Sequence, residues 1–149
     1  MSTLHLKVVS PERTLLDDNV DEVVLPTVTG QIAVLPHHMP LVSELAHGDI
    51  IVKKGDHTQV ALVYGGFVYV KPGNEVMILA DSADHLHELN EAEILEAKKR
   101  AENAIEGAKG DHALLATSEA ELSRITTQLR SLTRHSTLRK HHHKAEKIN

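Results

Sequence analysis

The periodicity of this chain changes once, near Glu88, and that break constrains the fold more than any other feature. Before it, short apolar runs alternate with turn residues. After it, small and apolar residues recur at helical spacing. A β module followed by a helical hairpin is therefore expected.

In the first part, His5–Val9, Val20–Leu25, Gln31–Leu35, Asp49–Lys54, Gln59–Val63, Phe67–Val70 and Glu75–Leu79 read as strands. Pro11, Asp17-Asp18-Asn19, Pro26, Pro36, Gly55-Asp56 and Lys71-Pro72-Gly73-Asn74 read as punctuation, since Pro fixes φ and Gly supplies positive φ. Strands this closely spaced make a sandwich or a barrel, and connections this short leave no room for βαβ crossovers. Val60–Val63 and Val76–Leu79 are apolar on both faces, so these strands are central or covered from outside the sheet. Gly65-Gly66 reads as a bulge or a tight corner.

In the second part, Asn90 with Glu93 fits a helix-starting capping box. Ile94, Ala97, Ala101, Ala104, Ile105 and Ala108 fall on one stripe. Gly107 and Gly110 end that helix, and Asp111 caps the next. Leu115, Ser118, Leu122, Ile125, Leu129 and Leu132 then repeat at intervals of three and four, the seam of a packed antiparallel hairpin. Burial of that seam leaves little net docking energy once about twenty residues are ordered, so release of the hairpin to dock elsewhere is an expectation.

Charge is unevenly placed. Residues 1–88 carry 5 Lys/Arg against 12 Asp/Glu, whereas from Leu122 onward Arg124, Arg130, Arg134, Arg139, Lys140, Lys144 and Lys147 face Glu146 alone. A basic end on an acidic chain favours an acidic partner surface, and the same cations also suit a helix C-terminal dipole. The absence of Cys excludes disulfides and thiolate chemistry. Scarce aromatics (Tyr64, Phe67, Tyr69, no Trp) argue against a nucleic-acid stacking platform. No apolar run reaches the ~20 residues of a membrane span, and the N-terminus has neither signal nor transit character.

Twelve histidines raise a metal question. Zinc sites want converging ligands with Cys or carboxylate support; His85-x-His87, next to Asp84 and Glu88, makes only a weak site, and His141-His142-His143 has no acidic neighbour before Glu146, so no metal role is assigned to these or to His37-His38. No nucleophile elbow, P-loop or glycine-rich phosphate loop is present. The chain reads as a non-enzyme without a cofactor.

Several runs resemble a known family. Leu6–Glu12 is similar to its opening strand, and Thr29-Gly30-Gln31-Ile32-Ala33-Val34-Leu35-Pro36-His37-His38-Met39-Pro40-Leu41 to its signature loop, usually close to G-E-L-G-I-L-P-G-H-A-P-L. Gly65–Val68, Pro72–Asn74, Leu79–Ala83 and Glu96–Ala101 fall in order behind them. The resemblance, over residues 4 to about 138, is to the epsilon subunit of bacterial F-type ATP synthase.

It implies a β-sandwich of about ten short antiparallel strands over residues 1–86, bound to the gamma subunit and to the membrane c-ring. It implies an antiparallel two-helix regulatory hairpin over 87–138. Residues 139–149 would be a basic, disordered tail. The function implied is a non-catalytic central-stalk subunit. It would couple the catalytic head to the c-ring in proton-driven ATP synthesis and restrain ATP hydrolysis when its helices extend among the alpha and beta subunits. Its place would be the cytoplasmic face of the bacterial membrane, held there only through the complex. Gln31, His37 and His38 would meet the c-ring, and Arg124, Arg130 and Arg134 an acidic segment of the beta subunit.

The signature loop departs from the family pattern at Gln31, Ala33, His37 and Met39, and His37 in place of Gly gives up the freedom to take positive φ. Some members carry an ATP-sensing motif, L-D-x-x-R-A. Here the run is Leu89-Asn90-Glu91-Ala92-Glu93-Ile94, and Glu93 puts an anion where a phosphate-facing cation stands. No nucleotide binding is expected. Two other readings remain: a β-sandwich adaptor whose basic hairpin binds an acidic protein, and a His-rich metal buffer.

Overall fold

The computed structural model describes residues 2–108 and 110–136, and the chain divides into two compact units, 1–86 and 87–149.

The first unit holds eight strands: β1 (Leu4–Val9), β2 (Thr14–Val20), β3 (Glu22–Thr27), β4 (Gly30–Val34), β5 (Leu41–Lys54), β6 (His57–Lys71), β7 (Glu75–Ala80) and β8 (Ala83–His85). They form one hydrogen-bonded sheet in the order β2-β1-β7-β6-β5-β3-β4, with β8 also on β6. The sheet folds over itself because β5 and β6 each serve both halves. In β5 the inward residues are Leu41 and Leu45, then Ile50 and Val52. In β6 they are Ala61 and Val63, then Val68 and Val70. The inward set thus changes parity at Ala46–Gly48 and at Gly65-Gly66, as a strand does when it bends through an irregularity. The enclosed cluster draws Leu4, Leu6 and Val8 from β1, Val23 and Leu25 from β3, and Val76 and Ile78 from β7. With almost no aromatics, it is filled by interdigitated aliphatic side chains.

This corrects three sequence expectations. Among the described residues there are eight strands, not about ten, because two long strands do the work of four. One pairing is parallel: β1 runs alongside β7, with Leu6 opposite Val76 and Val8 opposite Ile78. No crossover helix is needed, because five strands lie between the two in sequence. Asp17-Asp18-Asn19 is not a turn but the middle of β2, an edge strand. Charges there keep the edge from pairing with another chain. Val20 accordingly closes β2, and Glu22 opens β3.

Pro26 is likewise inside β3, opposite Gln31. The β3–β5 register shifts between Val24 and Thr27, where Pro has no N–H to give. Across that gap Gly48 has no side chain to crowd the ring: a Cβ there would lie 3.0 Å from Pro26 Cβ.

A single 3₁₀ turn, Leu86–Glu88, precedes the second unit's two helices, α1 (Glu91–Gly107) and α2 (His112–Arg134). Asn90 and Asp111 cap them, their side chains accepting from the backbone N–H of Glu93 and Leu114. The helices pack on each other. Buried positions recur at heptad spacing: Ile94 and Ala101 on the first, with Ala108 at its C-cap, and Ser118, Ile125 and Leu132 on the second, where Ser131 is buried as well. The basic tail 139–149 and His141–His143 lie outside the described residues.

Candidate docking surfaces

The pleat leaves the sandwich with two outward faces of different character. On the β5-β6-β7-β1 half, cross-strand register aligns Val42, Tyr69, Met77 and Lys7 in one row and Glu44, Phe67, Leu79 and Val9 in the next. Val42 is 65% exposed, Phe67 47% and Leu79 43%. Contiguous apolar side chains on a sheet face of a small domain mark an interaction surface more often than solitary ones do. Periodicity flagged strand Val76–Leu79 as two-sided. It did not reveal that Phe67 and Val42 share its outer face, since that depends on strand order.

On the other half, Val60, Leu62 and Tyr64 are buried although they point away from the enclosed cluster. Tyr64 donates its hydroxyl to Asp84 Oδ2 at 2.8 Å, and the His47 ring meets Tyr64 edge-on with centroids 6.1 Å apart.

The signature run Thr29–Leu41 is a hairpin strand followed by a turn. Val34 is buried, while Leu35 and Met39 are 50% and 72% exposed. His37 takes φ +70°, the left-handed region, despite being a histidine. Asn74, itself at φ +60°, holds it there. The His37 backbone N–H donates to Asn74 Oδ1 at 2.7 Å, and Asn74 O accepts from His5 N at 2.8 Å. Ser2 Oγ lies 3.2 Å from His37 Nε2. His38 Nδ1 lies 2.6 Å from Met39 O, and its backbone N–H closes the turn onto Leu35 O. Asn74 thus ties the β6–β7 turn, the start of β1 and the His37 turn together, a role that sequence reading missed. His37 and His38 share this turn, whereas Gln31 stands apart, exposed on edge strand β4.

Within β2, Lys54 Nζ pairs with Asp18 Oδ2 at 2.7 Å, and the backbone N–H of Asn19 donates to Asp18 Oδ1. These hold the Asp18 carboxyl below its ordinary value, the lysine hydrogen bond first.

On α2, Arg130 and Arg134 sit one turn apart and are exposed. With Lys98 of α1, Thr126, Leu129 and Thr133 they line an open cleft of about 520 Å³. Arg124, half-buried, does not line it. At the run resembling an ATP-sensing motif, Asn90 is occupied as a helix cap and Glu93 stands exposed in the first turn, an anion favourable to the helix dipole. Among the described residues, no three His, Asp or Glu side chains converge on a metal position. No described helix is long and apolar enough to cross a membrane.

The geometry therefore defines a docking module of two parts: a small folded-over sheet with an apolar outer face and a tied-down pole, and a capped helical hairpin with cations on its second helix. The chain belongs to the ATP synthase delta/epsilon-chain family, whose β-sandwich domain model matches residues 3–85. It is a non-catalytic accessory subunit of that complex. It is 39% identical over 130 residues to the ATP synthase epsilon chain of Dehalococcoides mccartyi, covering 87% of this chain and 92% of that one. It is 37% identical to the epsilon chain of Halalkalibacterium halodurans, covering 87% and 96%. Its fold is similar to a chain in the Euglena gracilis mitochondrial ATP synthase OSCP/F1/c-ring assembly, with a TM-score of 0.77, 22% identity and coverage of 89% and 82%.

Proposed function

We propose that this chain is a central-stalk coupling subunit, which joins the catalytic head to the membrane c-ring during proton-driven ATP synthesis and restrains ATP hydrolysis through its helices. The observation that carries the coupling part is the exposed patch of Val42, Phe67 and Leu79 on two adjacent rows of the sheet face, a surface suited to permanent burial against the gamma subunit. The turn that bears His37 and His38, with Leu35 and Met39 exposed beside it, is the contact offered to the c-ring. Gln31 contributes from β4.

In the regulatory part, α1 and α2 leave their compact state and extend among the alpha and beta subunits. Arg124, Arg130 and Arg134 then meet an acidic segment of the beta subunit. Nucleotide plays no part in holding the hairpin, because Asn90, Glu93 and Ile94 provide no phosphate-facing cation. The complex holds the chain on the cytoplasmic face of the membrane as a peripheral subunit.

The test is the assembled complex carrying the chain cut after Glu88, which leaves β8 whole. Hydrolysis rises and proton-coupled synthesis persists. Unchanged hydrolysis removes the restraint from the reading. Failure of the intact chain to co-assemble with gamma removes the coupling part and leaves the adaptor reading.

A further inference from the structure

Serine and threonine are abundant on α2, and most of their hydroxyls are accounted for. Thr117, Thr126, Thr127 and Thr133 each donate to the carbonyl four residues earlier (Ala113, Leu122, Ser123 and Leu129) at 2.8–3.0 Å. These bonds keep a hydroxyl satisfied inside a helix. Ser131 differs. It is 1% exposed, and its Oγ has no hydrogen-bond partner although the atom is buried. Its carbonyl is engaged, accepting from His135 N at the helix cap. The hydroxyl alone loses its water on burial and receives nothing in return.

Position gives this consequence. Ser131 lies beside buried Leu132, the last member of the heptad series Ser118, Ile125, Leu132, in the final turns of α2. Any motion that returns those turns to water restores the hydrogen bonds of the hydroxyl. The compact state carries the penalty and the released state does not.

We propose that Ser131 is a built-in release element, a buried unbonded hydroxyl that biases the C-terminal turns of α2 toward leaving their compact position. As regulation this rests on the proposed restraint of hydrolysis by released helices; as a property of the free chain it stands by itself. The thermodynamic requirement is met, since the side chain interacts differently with the two states.

The test is amide hydrogen exchange of the full-length free chain, read over Leu129 to Arg134, for Ser131→Ala and Ser123→Ala. Ser123 is exposed on the same helix, so its substitution measures what alanine's helix propensity alone contributes, roughly twofold in protection. Ser131→Ala raises protection about tenfold, equivalent to about 1.4 kcal/mol. Protection no greater than that of Ser123→Ala, or a decrease, overturns the assignment. ATPase activity of the assembled complex separates the two claims. Higher protection with faster hydrolysis supports both. Higher protection with unchanged hydrolysis upholds the hydroxyl's role in the free chain and sinks the restraint reading.

Discussion

Phe67 offers the sharpest test of the sheet face, because folding and docking demand different things of it. Its ring is 47% exposed in the chain, with Leu79 and Glu44 as its cross-strand neighbours. An aromatic side chain can bury ~150–250 Å², so roughly 70–120 Å² of Phe67 remains for a partner to cover. At ~25 cal/mol per Å² that is about 2–3 kcal/mol of docking free energy, or about 30-fold or more in affinity. The covered half of the side chain, roughly 80–130 Å² by the same reckoning, sets the folding cost of Phe67→Ala at about 2–3 kcal/mol. Titration of purified gamma subunit with wild-type and Phe67→Ala chains, beside denaturant unfolding of both, separates the effects. Affinity falls about 30-fold while stability falls by about 2–3 kcal/mol. An affinity within threefold of wild type for the folded variant refutes the argument, because the exposed half of the side chain would then meet no partner.

Other substitutions test the parts that position this face. A Cβ on Gly66, where φ is +127°, would lie 2.2 Å from Leu79 O and 2.8 Å from Ala80 Cα; Gly66→Ala costs ~3 kcal/mol or more in unfolding free energy, measured by denaturant titration. At His37, β-branched Val fits φ +70° poorly, so His37→Val lowers stability by ~1–2 kcal/mol, whereas His37→Gly stays within ~1 kcal/mol of wild type because relief of strain offsets backbone entropy. For Asp18, the depressed carboxyl contributes stability above the unfolded-state pKa and loses it as pH falls through the lower folded value. Lys54→Met removes the first cause of the shift, and an NMR titration then finds Asp18 moved back toward the ordinary 3.8.

The sequence displays what depends on local chemistry and conceals what depends on neighbours. Asn90 and Asp111 were legible as caps because a short side chain satisfies an orphan N–H in its own segment. The heptad members Ile94, Ala101, Ser118, Ile125 and Leu132 were legible because helical period follows from backbone geometry. β2 was misread because Asp17-Asp18-Asn19 carries turn propensity, and only its edge position makes a strand of it. His37 was expected to forgo positive φ. It adopts it because Asn74, distant in sequence, receives its N–H. Val42, Phe67 and Leu79 became one surface only when strand order placed β5, β6 and β7 side by side.

The hairpin shows how specification and stability separate. Ile94 and Ala101 on α1, with Ala108 at its C-cap, and Ser118, Ile125 and Leu132 on α2 are buried at the same seven-residue interval, so a slide of one helix along the other by anything short of a full heptad mismatches both series. Register is therefore well determined. The same series is thin in apolar area: Ala101, Ala108 and Ser118 occupy half of its six positions, and each contributes far less than a leucine would. A buried hydroxyl at Ser131 subtracts further. An element made this way returns to one arrangement whenever it closes, yet needs little free energy to open. Those are the two properties a reversible restraint requires, since a tightly packed hairpin would never engage a second site and a poorly registered one would never reset.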